Sequence, residues 1–140
     1  NLLMGHPYGA DFVYDEMVVA GPKDTGEATA KAIVAGNNKL GAQGGPKPGE
    51  GPSREERESG YFDLLFVGFA PDGRQIRAVV TGDRDPGYGS TSKMIAECAI
   101  CLRRDTPDVP GGIWTPGVAM KDALIRRLVA HAGLTFRIGT

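Results

Sequence analysis

The 140-residue sequence predicts an α+β domain: a mixed, largely antiparallel sheet with a long hairpin, and helices packed on one face. Three observations predict it. Two runs rich in β-branched and aromatic residues flank the turn triplet Pro71-Asp72-Gly73, the chemistry of a hairpin. Two stretches, 91–103 and 116–132, carry apolar residues at helical spacing. A last alternating run, 134–138, closes the chain as a strand. The resulting order of strand, helix, hairpin, helix, helix, strand lacks the regular alternation of a parallel βαβ sheet.

Taken in order, residues 12–19 read as a strand from Phe12, Val13, Tyr14, Val18 and Val19, ended by Gly21-Pro22. Thr25 is the expected cap of a helix over 26–39, with Ala28, Ala32, Ile33 and Ala35 on its apolar side. Residues 41–52 repeat Gly and Pro and read as a loop. Within it, 49–52 is the best candidate boundary, the whole of 1–140 being expected as one domain. Ser53 and Glu56 match a capping box, which starts a short charged helical turn through about Glu58. The run 61–69 is apolar at almost every position, as expected of a central strand buried on both faces. In 74–81, Ile76, Ala78 and Val80 alternate with Gln75, Arg77 and Thr81. Met94, Ile95, Cys98, Ala99 and Leu102 define the expected buried face of the next helix, and Arg103 and Arg104 suit its C-terminal end. Thr115-Pro116 is a cap followed by an N1 proline. The final helix presents Met120, Leu124, Ile125, Leu128 and Val129, with Gly133 just beyond its end.

Composition excludes several classes. The chain is 41% hydrophobic and 24% charged with a net charge of −1, which speaks against a basic nucleic-acid surface. The mixed charges of Arg54 to Glu58 read as a solvated face. No apolar run approaches the ~18 residues of a membrane span, and the first residues lack the pattern of a secretory signal. The first residue, Asn1, suggests a processed or excised piece of a longer protein. Cys98 and Cys101 have redox-motif spacing but fall mid-helix, whereas a redox pair sits at a helix N-terminus where the dipole lowers the thiol pKa. Two buried, unpaired thiols are the expectation, and they fit a reducing cytoplasm.

The most informative stretch is 85–92, Asp-Pro-Gly-Tyr-Gly-Ser-Thr-Ser, between an expected strand and an expected helix. Gly87 and Gly89 permit a tight turn or a close approach. Ser90, Thr91 and Ser92 are expected helix caps, and an open helix N-terminus would suit a carboxylate or another anion. A turn with a cap and a binding loop both fit these residues. Tyr88 offers a ring and a hydroxyl to a ligand or partner, or a lid to the core. Gly82, Gly87 and Gly89 lack the spacing of a dinucleotide fingerprint. Asp15-Glu16 and Asp83/Asp85 read as turn acids, and His131 as a cation at a helix end. No nucleophile–base pair is visible, which leaves a self-contained hydrolase without its parts.

Three stretches together resemble the C-terminal part of the saccharopine dehydrogenase-like oxidoreductases, the broad family that includes saccharopine dehydrogenases and mycobacterial trans-acting enoyl reductases. They are 49–57 (Gly-Glu-Gly-Pro-Ser-Arg-Glu-Glu-Arg), 85–94 leading into Ala96-Glu97-Cys98-Ala99, and 111–120 (Gly-Gly-Ile-Trp-Thr-Pro-Gly-Val-Ala-Met) followed by the Leu-rich helix and Gly133-Leu134-Thr135-Phe136. The resemblance covers about residues 49–138 and is loose over the first 45. It implies a two-part design: an N-terminal Rossmann half that binds NAD(P), and a C-terminal α+β half that closes over a small-molecule substrate and often dimerises. The Gly-x-Gly-x-x-Gly half is absent from this chain. The resemblance therefore implies a substrate-side and dimerisation domain that is inactive alone, binds no cofactor itself and forms a homodimer. It carries over no catalytic residue. Asp85, Gly87, Tyr88, Gly89, Ser90, Thr91 and Thr115 are substrate-binding candidates by their position at helix N-termini. The competing expectation is a stand-alone module whose exposed hairpin edge pairs with its own copy.

Overall fold

A computed structural model describes residues 1–37 and 49–139. The expected loop 41–52 and the end of the helix expected over 26–39 fall partly outside these residues. The chain divides into two compact units, Asn1–Gly51 and Pro52–Thr140.

The first unit opens with a 3₁₀ turn, Leu2–Met4, closed by Gly5. Asn1 fastens it: its amide donates to the Gly9 carbonyl at 2.7 Å, and its side-chain oxygen accepts from the Tyr8 N–H. The strand expected over 12–19 does not form. Those residues carry no ladder pairing, and Val13, Met17, Val18 and Val19 are exposed. Their β-branched composition favours extended backbone, but a strand exists only when a neighbour takes its hydrogen bonds. Helix α1, Lys23–Asn37, begins before Thr25, because the Pro22 carbonyl accepts from the Thr25 and Gly26 N–H groups. Thr25 therefore lies inside the helix rather than capping it. Of its expected apolar side, Ile33 is half-buried while Ala28, Ala32 and Ala35 are exposed.

The second unit carries the core. Helix α2, Arg54–Ser59, is held by the expected capping box: Ser53 Oγ accepts from the Glu56 N–H, and the Glu56 carboxylate accepts from the Ser53 N–H at 2.7 Å. Strands β1 (Phe62–Phe69) and β2 (Gln75–Gly82) form the expected hairpin around Gly73, and β3 (Leu134–Gly139) pairs with the far side of β2. The order β1-β2-β3 is antiparallel throughout, with Phe62 opposite Gly82 and Gly82 opposite Leu134. The central strand is thus β2. β1 lies at an edge and is exposed along most of its length, contrary to the burial expected from its apolar run.

Helices α3 (Gly89–Arg104) and α4 (Pro116–His131) supply most of the core. Cys101, Met120, Leu124, Leu128, Ala132 and Leu134 are buried together, with Phe62, Val80, Met94 and Cys98 packed around them. Phe62, Val80, Gly82 and Leu134 share one sheet face, so the helices sit against one end of that face. The buried stripe of α3 runs through Ser90, Met94, Cys98 and Cys101, while Ile95, Ala99 and Leu102 are exposed. The expected face was rotated by about one residue because α3 carries a second apolar stripe. Likewise Ile125 and Val129 of α4 are largely exposed while Leu124 and Leu128 are buried. Gly133 follows α4 at φ +75°, where an added Cβ would run into the Asp83 carboxylate. No helix among the described residues is long and apolar enough to cross a membrane.

Candidate functional site

The stretch 83–92 leaves the central strand and enters α3, and Asp85 organises it. Its carboxylate accepts from the N–H groups of Tyr88 at 2.7 Å, Gly89 at 3.0 Å and Gly87 at 3.3 Å. Those N–H bonds, Gly89's first and Tyr88's next, hold the Asp85 carboxyl below its ordinary pKa; partial burial opposes them, and Arg57 adds a smaller favourable charge. The main chain of Asp85 is held too: its N–H donates to the Arg57 carbonyl of α2, and its carbonyl accepts from the Ser90 N–H at 2.7 Å. Gly89 must be glycine here, since a Cβ would lie 2.6 Å from the Arg57 carbonyl oxygen.

The hydroxyls do not cap. Tyr88 holds the N-cap position of α3 without a side-chain cap bond. Ser90, fully buried, donates to the Arg84 carbonyl at 3.2 Å, Thr91 donates to the Pro86 carbonyl, and Ser92 donates to the Gly89 carbonyl at 3.1 Å. The expected cap role of Ser90, Thr91 and Ser92 therefore belongs to Asp85. A side-chain carboxylate needs only the Asp-x-Gly-x-Gly spacing to fold back on the turn, whereas hydroxyls within the first turn reach carbonyls instead. The anionic position at the start of α3 is filled from within the chain.

The loop thus brings together Asp85, Gly87, Tyr88, Gly89, Ser90 and Thr91. Tyr88 is its large exposed side chain, and on either side of it in the sequence Arg84 pairs with Glu58 and Lys93 with Asp83. Thr115 is the N-cap of α4: its carbonyl accepts from Val118 and Ala119, and its side chain makes no cap bond. Thr115 is thus held within its own helix start, apart from the hydrogen bonds that organise the 85–92 loop. The arrangement does not fit a dinucleotide. A pyrophosphate needs free N–H groups at a helix start after a glycine turn, and here the Asp85 carboxylate takes them and adds like charge.

A second cluster went unread in the sequence. Arg127 of α4 donates from Nε to Asp105 at 2.7 Å, from Nη2 to the other Asp105 oxygen at 3.2 Å, and from Nη1 to Glu97 of α3 at 2.9 Å. Arg127 and Glu97 are both largely covered. The guanidinium is raised by these two carboxylates, Asp105 foremost, and Asp105 is lowered chiefly by its hydrogen bonds to Arg127. Beside it lies an open hollow of about 370 Å³, rimmed by Arg126 and His131. Each of Arg127's three guanidinium nitrogens bonds Glu97 of α3 or Asp105 at its end, which holds α3 to α4. Its signal in the sequence was an arginine between the buried Leu124 and Leu128.

Cys98 and Cys101 are free; Cys101 is fully buried as expected, whereas Cys98 is only half-buried because it lies at the rim of the core. Burial pushes both thiols up, and Asp105 adds to the rise at Cys101. Among the described residues no three His, Cys, Asp or Glu side chains converge as a metal site.

No family model matches the chain, and no solved structure does. Named proteins do. A Mycobacterium tuberculosis protein named as a trans-acting enoyl reductase is 34% identical across 98% of this chain and 36% of its own length. Trans-acting enoyl reductases of Mycobacterium bovis and Mycobacterium ulcerans are 32% and 30% identical, each across 91% of this chain and 34% of their own length. The chain is related to proteins named trans-acting enoyl reductases, and it spans about a third of the length of the curated relatives it matches.

Proposed function

We propose that this chain is the substrate-side and dimerisation domain of an NAD(P)-dependent, saccharopine dehydrogenase-like oxidoreductase, lacking the Rossmann half and inactive alone. The observation that carries this reading is the end-to-end similarity of the chain to about a third of proteins named trans-acting enoyl reductases. The filled helix start at Asp85 supports its second part, because it leaves no cradle for a nicotinamide cofactor in the loop that leads from β2 into α3. In this reading the cofactor belongs to the N-terminal half of a longer, cytoplasmic protein, and residues 1–140 act as one part of it.

The substrate face, in this proposal, is the 85–91 loop together with Thr115. Asp85, Gly87, Gly89 and Ser90 shape the loop, and Tyr88 and Thr91 present side chains from it. The test is a comparison of two polypeptides: the 140-residue chain, and the same chain preceded by a dinucleotide-binding half. Only the longer one is expected to oxidise NADH or NADPH with an enoyl substrate, and Tyr88→Ala in it is expected to raise KM more than it lowers kcat. NADPH oxidation by the short chain would overturn the proposal.

A second reading draws on the exposed β1 edge: a stand-alone module that associates with itself and has no catalytic activity. Activity in the longer polypeptide separates the two.

A further inference from the structure

Helix α2 has six residues and buries none of them. A helix this short does not stand on its own in water. The capping box closes its first turn, and its other end is joined to the 83–92 loop at two places. The Arg57 carbonyl accepts from the Asp85 N–H at 3.1 Å, and Glu58 pairs with Arg84 at 3.4 Å. The joint is also a close fit of two glycines. A Cβ added at Gly60, which ends α2, would lie 2.7 Å from the Asp85 main chain. A Cβ added at Gly89, which starts α3, would lie 2.6 Å from the Arg57 carbonyl oxygen. Gly60 has φ −69° and ψ 162°, extended backbone that any residue adopts. Clearance against Asp85, not backbone conformation, requires glycine there.

We propose that α2 is a clasp on the 85–91 loop, with Arg57 and Gly60 as positioning residues: the end of α2, docked on Asp85, holds the turn in the shape that presents Tyr88 and Thr91 to substrate. The proposal rests on the reading of that loop as the substrate face and deepens it by naming the element that sets the face. Asp85 is the piece held in the joint. Its N–H is spent on α2, while its carboxylate takes the N–H groups of Gly87, Tyr88 and Gly89. The position of α2 therefore fixes Asp85, and Asp85 fixes the turn that carries Tyr88. When α2 lets go, the Asp85 N–H loses its acceptor and the loop loosens with it. An exposed short helix opens more readily than a packed core, so the clasp makes this loop the adjustable part of its unit.

The clasp predicts an effect across the sequence. Among the described residues, Ser53 hydrogen-bonds only Glu56 and Arg57 of α2. A change at Ser53 therefore reaches the 85–91 loop through α2.

Amide exchange of the 140-residue chain, read residue by residue, tests it. Ser53→Ala removes the cap and is expected to speed exchange at Asp85, Tyr88 and Gly89 roughly fivefold, in step with Gly60, while Leu124 and Leu128 keep their rates. Gly60→Ala is expected to do the same. Without the clasp its sign reverses, because alanine at an unstrained extended position restricts the unfolded chain and slows opening. The retained rates at Leu124 and Leu128 report that both variants fold. Exchange that quickens within α2 alone, with Asp85, Tyr88 and Gly89 unchanged, overturns the clasp and leaves the proposed function standing. The second readout is kinetic. In the longer polypeptide, both variants are expected to raise KM for the enoyl substrate about threefold with kcat nearly unchanged. Coupled exchange with KM unchanged overturns the positioning role. An inactive unsubstituted polypeptide overturns the substrate-face reading, and with it the role given to the clasp.

Discussion

Asp85 is the residue on which the 83–92 loop depends. Three main-chain N–H groups converge on its carboxylate, and its own N–H and carbonyl tie the loop to α2 and to α3. Replacing it with alanine leaves those donors without their acceptor and is expected to lower Tm by roughly 5 °C, checked by calorimetric melting. Asp85, Glu56, Glu58 and Asp105 are all held below their ordinary values by hydrogen bonds, so the folded state binds fewer protons than the unfolded chain in acid. Their contribution is complete above the ordinary carboxylate range near pH 4 and is lost as pH falls through the lower folded values. Melting temperature is expected to hold steady from neutrality to about pH 5 and to fall below pH 4, less steeply in the Asp85→Ala variant. The cysteines behave in the opposite way. Both thiols are pushed up by burial, so at neutral pH they are protonated and slow. A thiol reagent is expected to modify Cys98 slowly and to reach Cys101, which has no exposed surface, only on unfolding. Rapid labelling of both in the native protein would contradict the packing described.

At the scale of the element, α4 carries the core. Met120, Leu124 and Leu128 meet Cys101 of α3 and Leu134 of β3, and Arg127 clamps the two helices through Asp105 and Glu97. Leu124→Ala is expected to cost about 2–5 kcal/mol, measured by urea unfolding, because it opens a cavity in a small cluster with few neighbours able to close it. The hairpin, the capping box at Ser53 and Glu56, the N1 proline of α4 and the glycine after it were all legible in the sequence. Each is local, and its residues act within a few positions of one another. What escaped was set by tertiary partners. The run 12–19 had strand composition without a neighbour to pair with, and 61–69 had the apolar density of a central strand yet took the edge. Helix α3 offered two apolar stripes, and only packing against α4 decides between them. The 85–92 loop was located from its glycines, but its cap was assigned to the hydroxyls rather than to Asp85. Arg127 was hidden because its two carboxylate partners lie 22 and 30 residues away.

For the whole molecule, the distribution of burial is the informative fact. The described buried apolar side chains gather at one end of the sheet, where Phe62, Gly82 and Leu134 face the helices, and the other end and the β1 edge stay bare. Contiguous exposed apolar surface of this kind marks a place of interaction. The curated relatives that the chain matches are about three times its length.

The most direct measurement is calorimetric titration of NADPH and NADH into the 140-residue chain and, side by side, into the longer polypeptide that carries a dinucleotide-binding half. A substrate-side domain separated from its cofactor half gives no saturable heat up to millimolar nucleotide, while the longer protein binds at micromolar concentration. Micromolar binding to the chain itself would contradict that division of labour, and would mean that a nucleotide site exists here despite the carboxylate of Asp85 at the start of α3.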